Sequence, residues 1–311
     1  MAKYILKTEN LIKRYGNLVA LKGINLIIEE GAIVGLLGPN GSGKTTFIRI
    51  VNNILEPTEG QVLFYDEPLT RRHNTLIGYL PEERGLYPKI SVADQIVYFG
   101  MLKGLSRGEA KQKARQWLEK LNALDWWNKK VDDLSKGMQQ KIQFVVSVIN
   151  QPKLLILDEP FTGFDPINLQ LIKGIIKELN DNGTTIILST HRMEQVEDLC
   201  SHIIFINKGK VLQQGEINEV KRKWAQPLVR LKVDKLFEDL DIRVVKSSLS
   251  DDGFWEVVVV WNHSQVPELM EMMIDKGIKI YEVEPVEPSL EDLFVNLVKA
   301  KDEETVDTSG I

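Results

Sequence analysis

The stretch Gly38–Thr45 reads GPNGSGKT and decides the fold. It fits the phosphate-binding pattern G-x-x-x-x-G-K-[ST], in which glycines let backbone N–H groups turn inward around phosphate oxygens. The apolar run Ala32–Leu37 before it is typical of a buried strand, and Lys44–Leu55 after it carries apolar residues at helical spacing. Strand, glycine-rich loop and helix together predict a nucleotide-binding site at the start of that helix.

The residues of this loop have predicted roles toward a bound nucleotide. Lys44 is expected to reach the β- and γ-phosphates, and the Thr45 hydroxyl to complete the shell of a Mg²⁺ ion. Because the loop runs into a helix, the positive end of the helix dipole adds to the attraction for phosphate. The predicted nucleotide-binding residues are Gly38, Pro39, Asn40, Gly41, Ser42, Gly43, Lys44, Thr45 and Thr46.

A second apolar strand, Lys153–Leu157, ends in two carboxylates, Asp158 and Glu159. Asp158 is placed to hold Mg²⁺ through water, and Glu159 to take a proton from an attacking water. By itself such a run also fits a solvated strand end. Following a phosphate-binding loop in the same chain, it indicates the metal site and the base of a nucleotide hydrolase.

The segment Leu134–Lys141 reads LSKGMQQK and opens a helix with apolar periodicity. Here the chain resembles the ABC-transporter ATPase family, whose signature loop has the form LSGGQ. Ser135 and Gly137 match that loop, whereas Lys136 and Met138 depart from its commonest form. The resemblance implies a second helix N-terminus directed at phosphate. Taken alone, the segment also fits an ordinary capped helix start.

The resemblance extends over residues 1–220 and implies further site residues. Tyr15 stands where the family stacks an aromatic ring on adenine, with an ordinary turn tyrosine as the alternative, and Asp165 matches the D-loop aspartate. His191 matches the switch histidine that contacts the γ-phosphate. Glu82 replaces the family's Q-loop glutamine, and its carboxylate is expected to bind Mg²⁺ or orient a water. The resemblance thus implies Glu159, His191 and Glu82 as catalytic, Thr45, Asp158 and Glu82 as metal ligands, and Tyr15, Ser135, Gly137 and Asp165 as nucleotide contacts.

The alternation of apolar runs and helical patterns predicts an α/β fold. With the resemblance, it implies a P-loop NTPase of ABC ATPase type, with a mixed or parallel sheet core, an N-terminal antiparallel β part and a helical insertion. We expect residues 1–224 to form this ATPase domain, with the helical part at about 88–150. Residues 225–298 are predicted to form a small α+β accessory domain, and residues 299–311 an acidic flexible tail.

Charge and composition agree with two domains and exclude several classes of protein. The 311 residues carry a net charge of −5, but residues 1–224 sum to +5 and residues 225–311 to −10. A 43% share of hydrophobic residues excludes wholesale disorder, and the single cysteine, Cys200, excludes a disulfide framework. With no run of about 20 apolar residues and no secretory signal, a cytosolic setting is expected.

The resemblance also implies cofactors and partners. ATP and Mg²⁺ are the expected cofactors, and two ATPase subunits are expected to pack head-to-tail with ATP between the phosphate loop of one and Ser135 and Gly137 of the other. A separate transmembrane permease would hold the dimer at the inner face of the cell membrane, with no nucleic acid involved. The segments GYLPEERGLYPK and Glu287–Phe294 resemble an export-type subgroup that includes sodium-extrusion and drug-export ATPases.

Two alternative functions predict sequence features other than those of a transporter ATPase subunit. A soluble ABC ATPase acting on translation or DNA usually carries two ATPase halves or long coiled-coil insertions, and neither is found in this sequence. A switch GTPase requires the guanine-selecting pattern N-K-x-D, which the sequence also lacks. The sequence therefore favours the ATPase subunit of a membrane transporter.

Overall fold

The structure, a computed structural model, describes residues 3–83, 85–224, 227–237, 240–286 and 289–307. Several sequence predictions touch residues outside these ranges, namely the domain boundary at Ala225, Arg84 of the segment GYLPEERGLYPK, Glu287, Pro288 and the end of the tail from 308. The chain divides into two compact units, Met1–Ile217 and Asn218–Ile311.

The first unit contains both strands and helices. Its strands are β1 (Tyr4–Tyr15), β2 (Leu18–Glu29), β3 (Ile33–Leu37), β4 (Glu59–Phe64), β5 (Glu67–Pro68), β6 (Ile77–Leu80), β7 (Leu154–Asp158), β8 (Thr185–Ser189), β9 (His202–Asn207) and β10 (Lys210–Glu216). Its helices are α1 (Lys44–Val51), α2 (Val92–Leu102), α3 (Arg107–Lys120), α4 (Lys136–Val148), α5 (Pro166–Asp181) and α6 (Met193–Leu199), and α7 (Ile217–Trp224) lies at the division between the units. Within the described ranges, no helix is long and apolar enough to cross a bilayer.

The central sheet of the first unit has the strand order β10-β9-β3-β8-β7-β6. The strands from β9 to β6 are parallel, and β10 runs antiparallel to β9 at one edge. Every residue of β3, β7 and β8 is buried, which explains why these strands are unbroken apolar runs in the sequence. Because parallel strands share one carboxyl edge, the segments that follow β3, β7 and β8 meet there.

An antiparallel sheet of order β2-β1-β4-β5 packs against the central sheet. Both sheets share one hydrophobic core with α1, to which Phe47 and Ile48 contribute fully buried side chains. Three helices, α2, α3 and α4, form the helical part, and each begins at a serine, Ser91, Ser106 or Ser135, that accepts a hydrogen bond from a backbone N–H of the first turn. The predicted fold class of this unit is confirmed.

The second unit contains an antiparallel sheet of order β12-β13-β11-β14. Its elements are β11 (Leu228–Val233), β12 (Val244–Leu249), β13 (Trp255–Val260), α8 (Val266–Asp275), β14 (Ile280–Val286) and α9 (Leu290–Asp307). Leu269 and Met273 of α8 pack on one face of the sheet, against Val229, Leu231 and Val257. This confirms the predicted α+β class of the accessory part.

The structure differs from the sequence prediction at two places in the second unit. Strand β12 was not predicted, because all six of its residues are exposed and it lacks a buried apolar face. Helix α9 continues to Asp307, whereas the sequence predicts a flexible tail from residue 299. Lysine and glutamate favour helices, so an acidic, polar stretch is able to extend a helix that already exists.

Two glycines provide a matched test of the packing in the first unit. A Cβ at Gly78 of β6 would lie 2.2 Å from the backbone oxygen of Ser147 in α4, whereas a Cβ at Gly174 of α5 has open space around it. We predict that Gly78→Ala lowers the free energy of unfolding by about 1–3 kcal/mol, because backbone must shift. Gly174→Ala is expected to raise it by about 1 kcal/mol. Urea denaturation followed by circular dichroism measures both, and equal effects would contradict this packing.

Candidate functional site

The loop between β3 and α1 has a backbone that requires glycine. Gly38 has φ 153°, and a Cβ there would lie 2.0 Å from the carbonyl oxygen of Ile206. Gly43, the N-cap of α1, has φ 114°, and a Cβ there would lie 2.9 Å from the carbonyl oxygen of Ala20. The first turn of α1 contains no acidic residue and no side-chain cap. The positive end of this helix dipole is therefore not compensated locally by the chain.

Lys44 is almost fully buried at the start of α1. Its Nζ donates hydrogen bonds to the carbonyl oxygens of Gly38 at 2.7 Å and Pro39 at 3.1 Å. Burial lowers the pKa of Lys44, and the carboxylates of Glu159 and Asp158 act in the opposite direction. An ammonium group has three donors, so a third is available to a phosphate oxygen.

Asp158 is the last residue of β7 and pairs with Ser189 of β8. Its side chain is buried, and burial raises the pKa of the Asp158 carboxyl. The negative charges of Glu82 and Glu159 raise this pKa further, whereas Lys44 lowers it. A cation in the cleft would favour the ionised form of Asp158.

Glu159 is held in place by backbone and side-chain contacts. It has φ 48°, a left-handed conformation that costs a non-glycine residue about 1–3 kcal/mol and persists only where the surroundings fix it. Its N–H donates to the carbonyl oxygen of Ser189 at 2.8 Å. Its carboxylate accepts from Thr190 Oγ1 at 3.1 Å and from the N–H of His191 at 3.0 Å. These contacts fix the direction of the Glu159 side chain.

The ring of His191 is joined to the same carboxylate. Nδ1 of His191 lies 2.7 Å from Oε1 of Glu159. Because an ionised carboxylate only accepts hydrogen bonds, Nδ1 carries a proton and donates a hydrogen bond to Oε1. The His191 side chain is 60% exposed and lines the cleft. Nε2 is then the ring nitrogen available to a ligand, and it donates a hydrogen bond when the ring carries both protons. The structure thus joins two predicted catalytic residues in one hydrogen-bonded pair.

These groups border a cleft of about 540 Å³. Its lining combines the phosphate loop, the carboxylates that follow β6 and β7, and three lysines. The lining residues are Tyr15, Leu18, Val19, Ala20, Lys22, Asn40, Gly41, Gly43, Lys44, Thr45, Thr46, Glu82, Asp158, Glu159, His191, Lys208 and Gly209. Of the predicted loop residues, Gly38, Pro39 and Ser42 do not line the cleft.

Three predicted nucleotide contacts, Ser135, Gly137 and Asp165, do not line the cleft. Ser135 Oγ, at the start of α4, accepts from the N–H of Met138 at 3.3 Å. Asp165 caps α5 in the same way. A Cβ at Gly137 would lie 3.2 Å from the carbonyl oxygen of Gly163, so the signature loop and the loop before α5 are neighbours. Within one copy of the chain, therefore, Ser135, Gly137 and Asp165 lie together but apart from the lining of the cleft.

The cleft supplies oxygen donors of the kind that Mg²⁺ prefers. Thr45, Glu82 and Asp158 all line it. Among the described residues, no group of three or more His, Cys, Asp or Glu side chains is arranged to hold a metal ion. Proteins usually bind Mg²⁺ through one or two carboxylates together with substrate phosphates and water.

Sequence reasoning missed several residues that shape the site. Lys22 and Lys208 line the cleft and bring positive charge from β2 and from the turn after β9. Thr190 holds the carboxylate of Glu159, and Gln143 contacts the loop that carries Glu82. Thr190 could have been predicted from the sequence, because it directly precedes the predicted His191. Gln143 lies about 60 residues from its contacts in the sequence, so no local pattern indicates them.

Comparison with known protein families identifies both parts of the chain. Residues 21–162 match the family model described as ABC transporter. Residues 215–298 match the model described as ATP-binding protein DrrA1-3-like, C-terminal domain.

Curated relatives and solved structures extend these matches. The Bacillus subtilis protein YhaQ, described as an uncharacterized ABC transporter ATP-binding protein, is 41% identical over 95% of this chain and 99% of its own length. The linearmycin resistance ATP-binding protein LnrL of the same species is 30% identical over 94% of this chain and 98% of its own length. The dimeric ATP-binding cassette MJ0796, solved in a post-hydrolysis state with ADP and Pi, is 27% identical, with a TM-score of 0.63 over 68% of this chain and 99% of that one.

The buried Lys44 and the partly buried Lys103 allow a controlled test of the phosphate loop. Lys103 resembles Lys44 in that burial lowers its pKa and its Nζ donates to two backbone carbonyls, of Asn74 and Ile77, but it does not line the cleft. We predict that Lys44→Ala weakens ATP binding by about 100-fold, because a charged hydrogen bond to phosphate is worth about 3 kcal/mol. Lys103→Ala is expected to lower the melting temperature and to leave ATP affinity unchanged.

Isothermal titration calorimetry measures both affinities. Equal losses of ATP affinity in the two variants would mean that Lys44 acts through stability alone. Unchanged affinity in Lys44→Ala would contradict the assignment of the loop.

Proposed function

Because the chain belongs to the ABC transporter ATP-binding proteins, we propose that the cleft after β3 and β7 binds Mg²⁺–ATP and hydrolyses it with the residues assigned below. The chain is an ATPase subunit that works as a dimer with a separate membrane permease. The observation that carries the assignment is the meeting of the phosphate loop, Asp158, Glu159 and His191 in one cleft.

The nucleotide is proposed to lie with its phosphates on the loop and its base at the end of β1. Backbone N–H groups of the loop residues that line the cleft, Asn40, Gly41 and Gly43–Thr46, and the ammonium of Lys44 bind the phosphate oxygens. Tyr15 lines the cleft and is 45% exposed, which leaves ring surface for stacking against adenine. Nζ of Lys13 lies 5.4 Å from the centre of this ring and helps to orient it.

The metal and the base occupy neighbouring positions in the proposal. Thr45, Asp158 and Glu82 would hold Mg²⁺, directly or through water, and the ion when bound neutralises charge that develops on the phosphates. Glu159 accepts a proton from the attacking water, and its contacts with Thr190 and His191 hold the accepting carboxylate toward the cleft. His191 presents Nε2 to the γ-phosphate.

A second copy or a second ATPase subunit is proposed to complete each site. Ser135 and Gly137 lie at the start of α4, whose first turn contains no acidic residue, so the helix end is suited to an anion. These residues do not line the cleft of their own chain. In a head-to-tail dimer, Ser135, Gly137 and Asp165 of one subunit contact ATP bound to the other. ATP binding closes the dimer and hydrolysis releases it.

The transporter is proposed to work in export, with this subunit at the inner face of the membrane. The export direction is supported by LnrL, which is named for linearmycin resistance, and by the match of the second unit to the DrrA1-3-like C-terminal domain. Exposed apolar side chains of α2 and the loop before it form a face suited to the permease. They are Tyr87, Ile90, Tyr98, Met101 and Leu102. The alternative of a soluble ATPase without a membrane partner finds no support in these relatives.

Removal of the proposed base tests the dimer mechanism. Glu159→Gln is expected to keep ATP binding and to lose hydrolysis, so that Mg²⁺–ATP traps a stable dimer with twice the monomer mass in gel filtration with light scattering. Glu178→Gln serves as the matched control, because Glu178 pairs with Lys120 outside the cleft. This control is expected to hydrolyse ATP at the wild-type rate. A monomer of Glu159→Gln under saturating Mg²⁺–ATP would contradict a dimer of two copies of this chain.

A further inference from the structure

A buried glutamine of α4 holds the backbone on both sides of Glu82. Nε2 of Gln143 donates one hydrogen bond to the carbonyl oxygen of Pro81 and one to that of Glu83, each at 3.1 Å. The two protons of one amide group are thereby used on the two neighbours of Glu82. Glu82 itself lines the nucleotide cleft.

Gln143 occupies a buried position in α4 where its two hydrogen bonds are what distinguishes it from an apolar side chain. It is 4% exposed, and its neighbours Ile142, Phe144 and Val145 are buried apolar side chains. Among the described residues, its Oε1 has no hydrogen-bond partner. A buried polar atom without a partner costs about 1–3 kcal/mol, so an apolar side chain would suit the packing of the helix better. What an apolar side chain lacks is the pair of donors to the Glu82 loop.

The electrostatics of the cleft make the exact position of Glu82 consequential. The charge of Glu82 raises the pKa of Asp158 and opposes the lowering of the Lys44 pKa by burial. A carboxylate that is held in place can share a cation with Asp158. A mobile Glu82 carboxylate contributes less to metal affinity than a fixed one, because metal binding must then order its side chain and backbone at a cost in entropy.

We propose that Gln143 is a positioning residue that fixes Glu82 for binding the Mg²⁺ of Mg²⁺–ATP. This inference rests on the proposed role of Glu82 as a metal ligand. Gln143 acts through the backbone of Pro81 and Glu83 and does not line the cleft. A loss of the two donors therefore weakens the contribution of Mg²⁺ to nucleotide affinity and leaves the affinity for metal-free nucleotide unchanged.

The test measures nucleotide affinity with and without the metal. Isothermal titration calorimetry with a non-hydrolysable ATP analogue, in Mg²⁺ and in EDTA, gives the ratio of the two affinities for the full chain. Gln143→Met keeps the size of the side chain and removes the donors. We expect it to lower the ratio by about tenfold, the lower end of what changes behind a metal ligand cost. Gln143→Leu replaces it if the methionine variant fails to fold.

A double-mutant comparison separates positioning of Glu82 from general support of the fold. Glu82→Ala alone is expected to lower the ratio, and Gln143→Met is expected to have no further effect in the Glu82→Ala background. Gln95→Met is the matched control, because Gln95 is also fully buried and accepts from Tyr87 of the same loop through Oε1. This control is expected to leave the ratio unchanged.

The outcomes distinguish this inference from the proposed function. If Glu82→Ala lowers the ratio but Gln143→Met does not, positioning by Gln143 is wrong and the role of Glu82 stands. The inference is also overturned if Gln143→Met lowers the ratio equally with and without Glu82, or weakens binding in EDTA as much as in Mg²⁺. An unchanged ratio in Glu82→Ala overturns the metal role of Glu82 and the positioning together.

Discussion

The site depends on a buried lysine sharing one sheet edge with acidic side chains. Burial acts against the charge of both Lys44 and Asp158, and each partly offsets the cost to the other. The parallel strands β3 and β7 bring them together, and glycine at position 38 lets the loop approach the backbone of Ile206. Glu159, whose backbone is in the left-handed conformation, adds a third charged side chain at this edge. A Mg²⁺–nucleotide complex supplies the phosphates and the cation that such an arrangement attracts.

Helix α4 connects the two functional regions of the first unit. Its N-terminus carries Ser135 and Gly137, and Gln143 lies eight positions after Ser135, about 12 Å along the axis at 1.5 Å per residue. One rigid helix therefore joins the proposed contact with the partner's nucleotide to the loop of Glu82. Every residue that lines the cleft belongs to the first unit.

The sequence predicts the parts of the fold whose signals are local. The run Ala32–Leu37, the loop from Gly38 and the helix from Lys44 carry apolar periodicity and glycine spacing, and the structure has strand, loop and helix there. Strand β12 carries no such signal because it buries no side chain. The contacts of Gln143 and the left-handed backbone of Glu159 depend on packing between distant segments, which periodicity does not encode. The resemblance added Tyr15, Asp165 and His191, whose types alone do not indicate a site.

In the proposed dimer, each nucleotide lies between the phosphate loop of one subunit and the start of α4 of the other. Cys200 is the only cysteine, so two single-cysteine chains can be made in a Cys200→Ser, Glu159→Gln background, one with Asn40→Cys and one with Lys136→Cys. When the two are mixed with a short bismaleimide, we expect a cross-linked dimer that forms with Mg²⁺–ATP and does not form with ADP. A mixture that shows no cross-link with ATP, or the same cross-link without nucleotide, would contradict it.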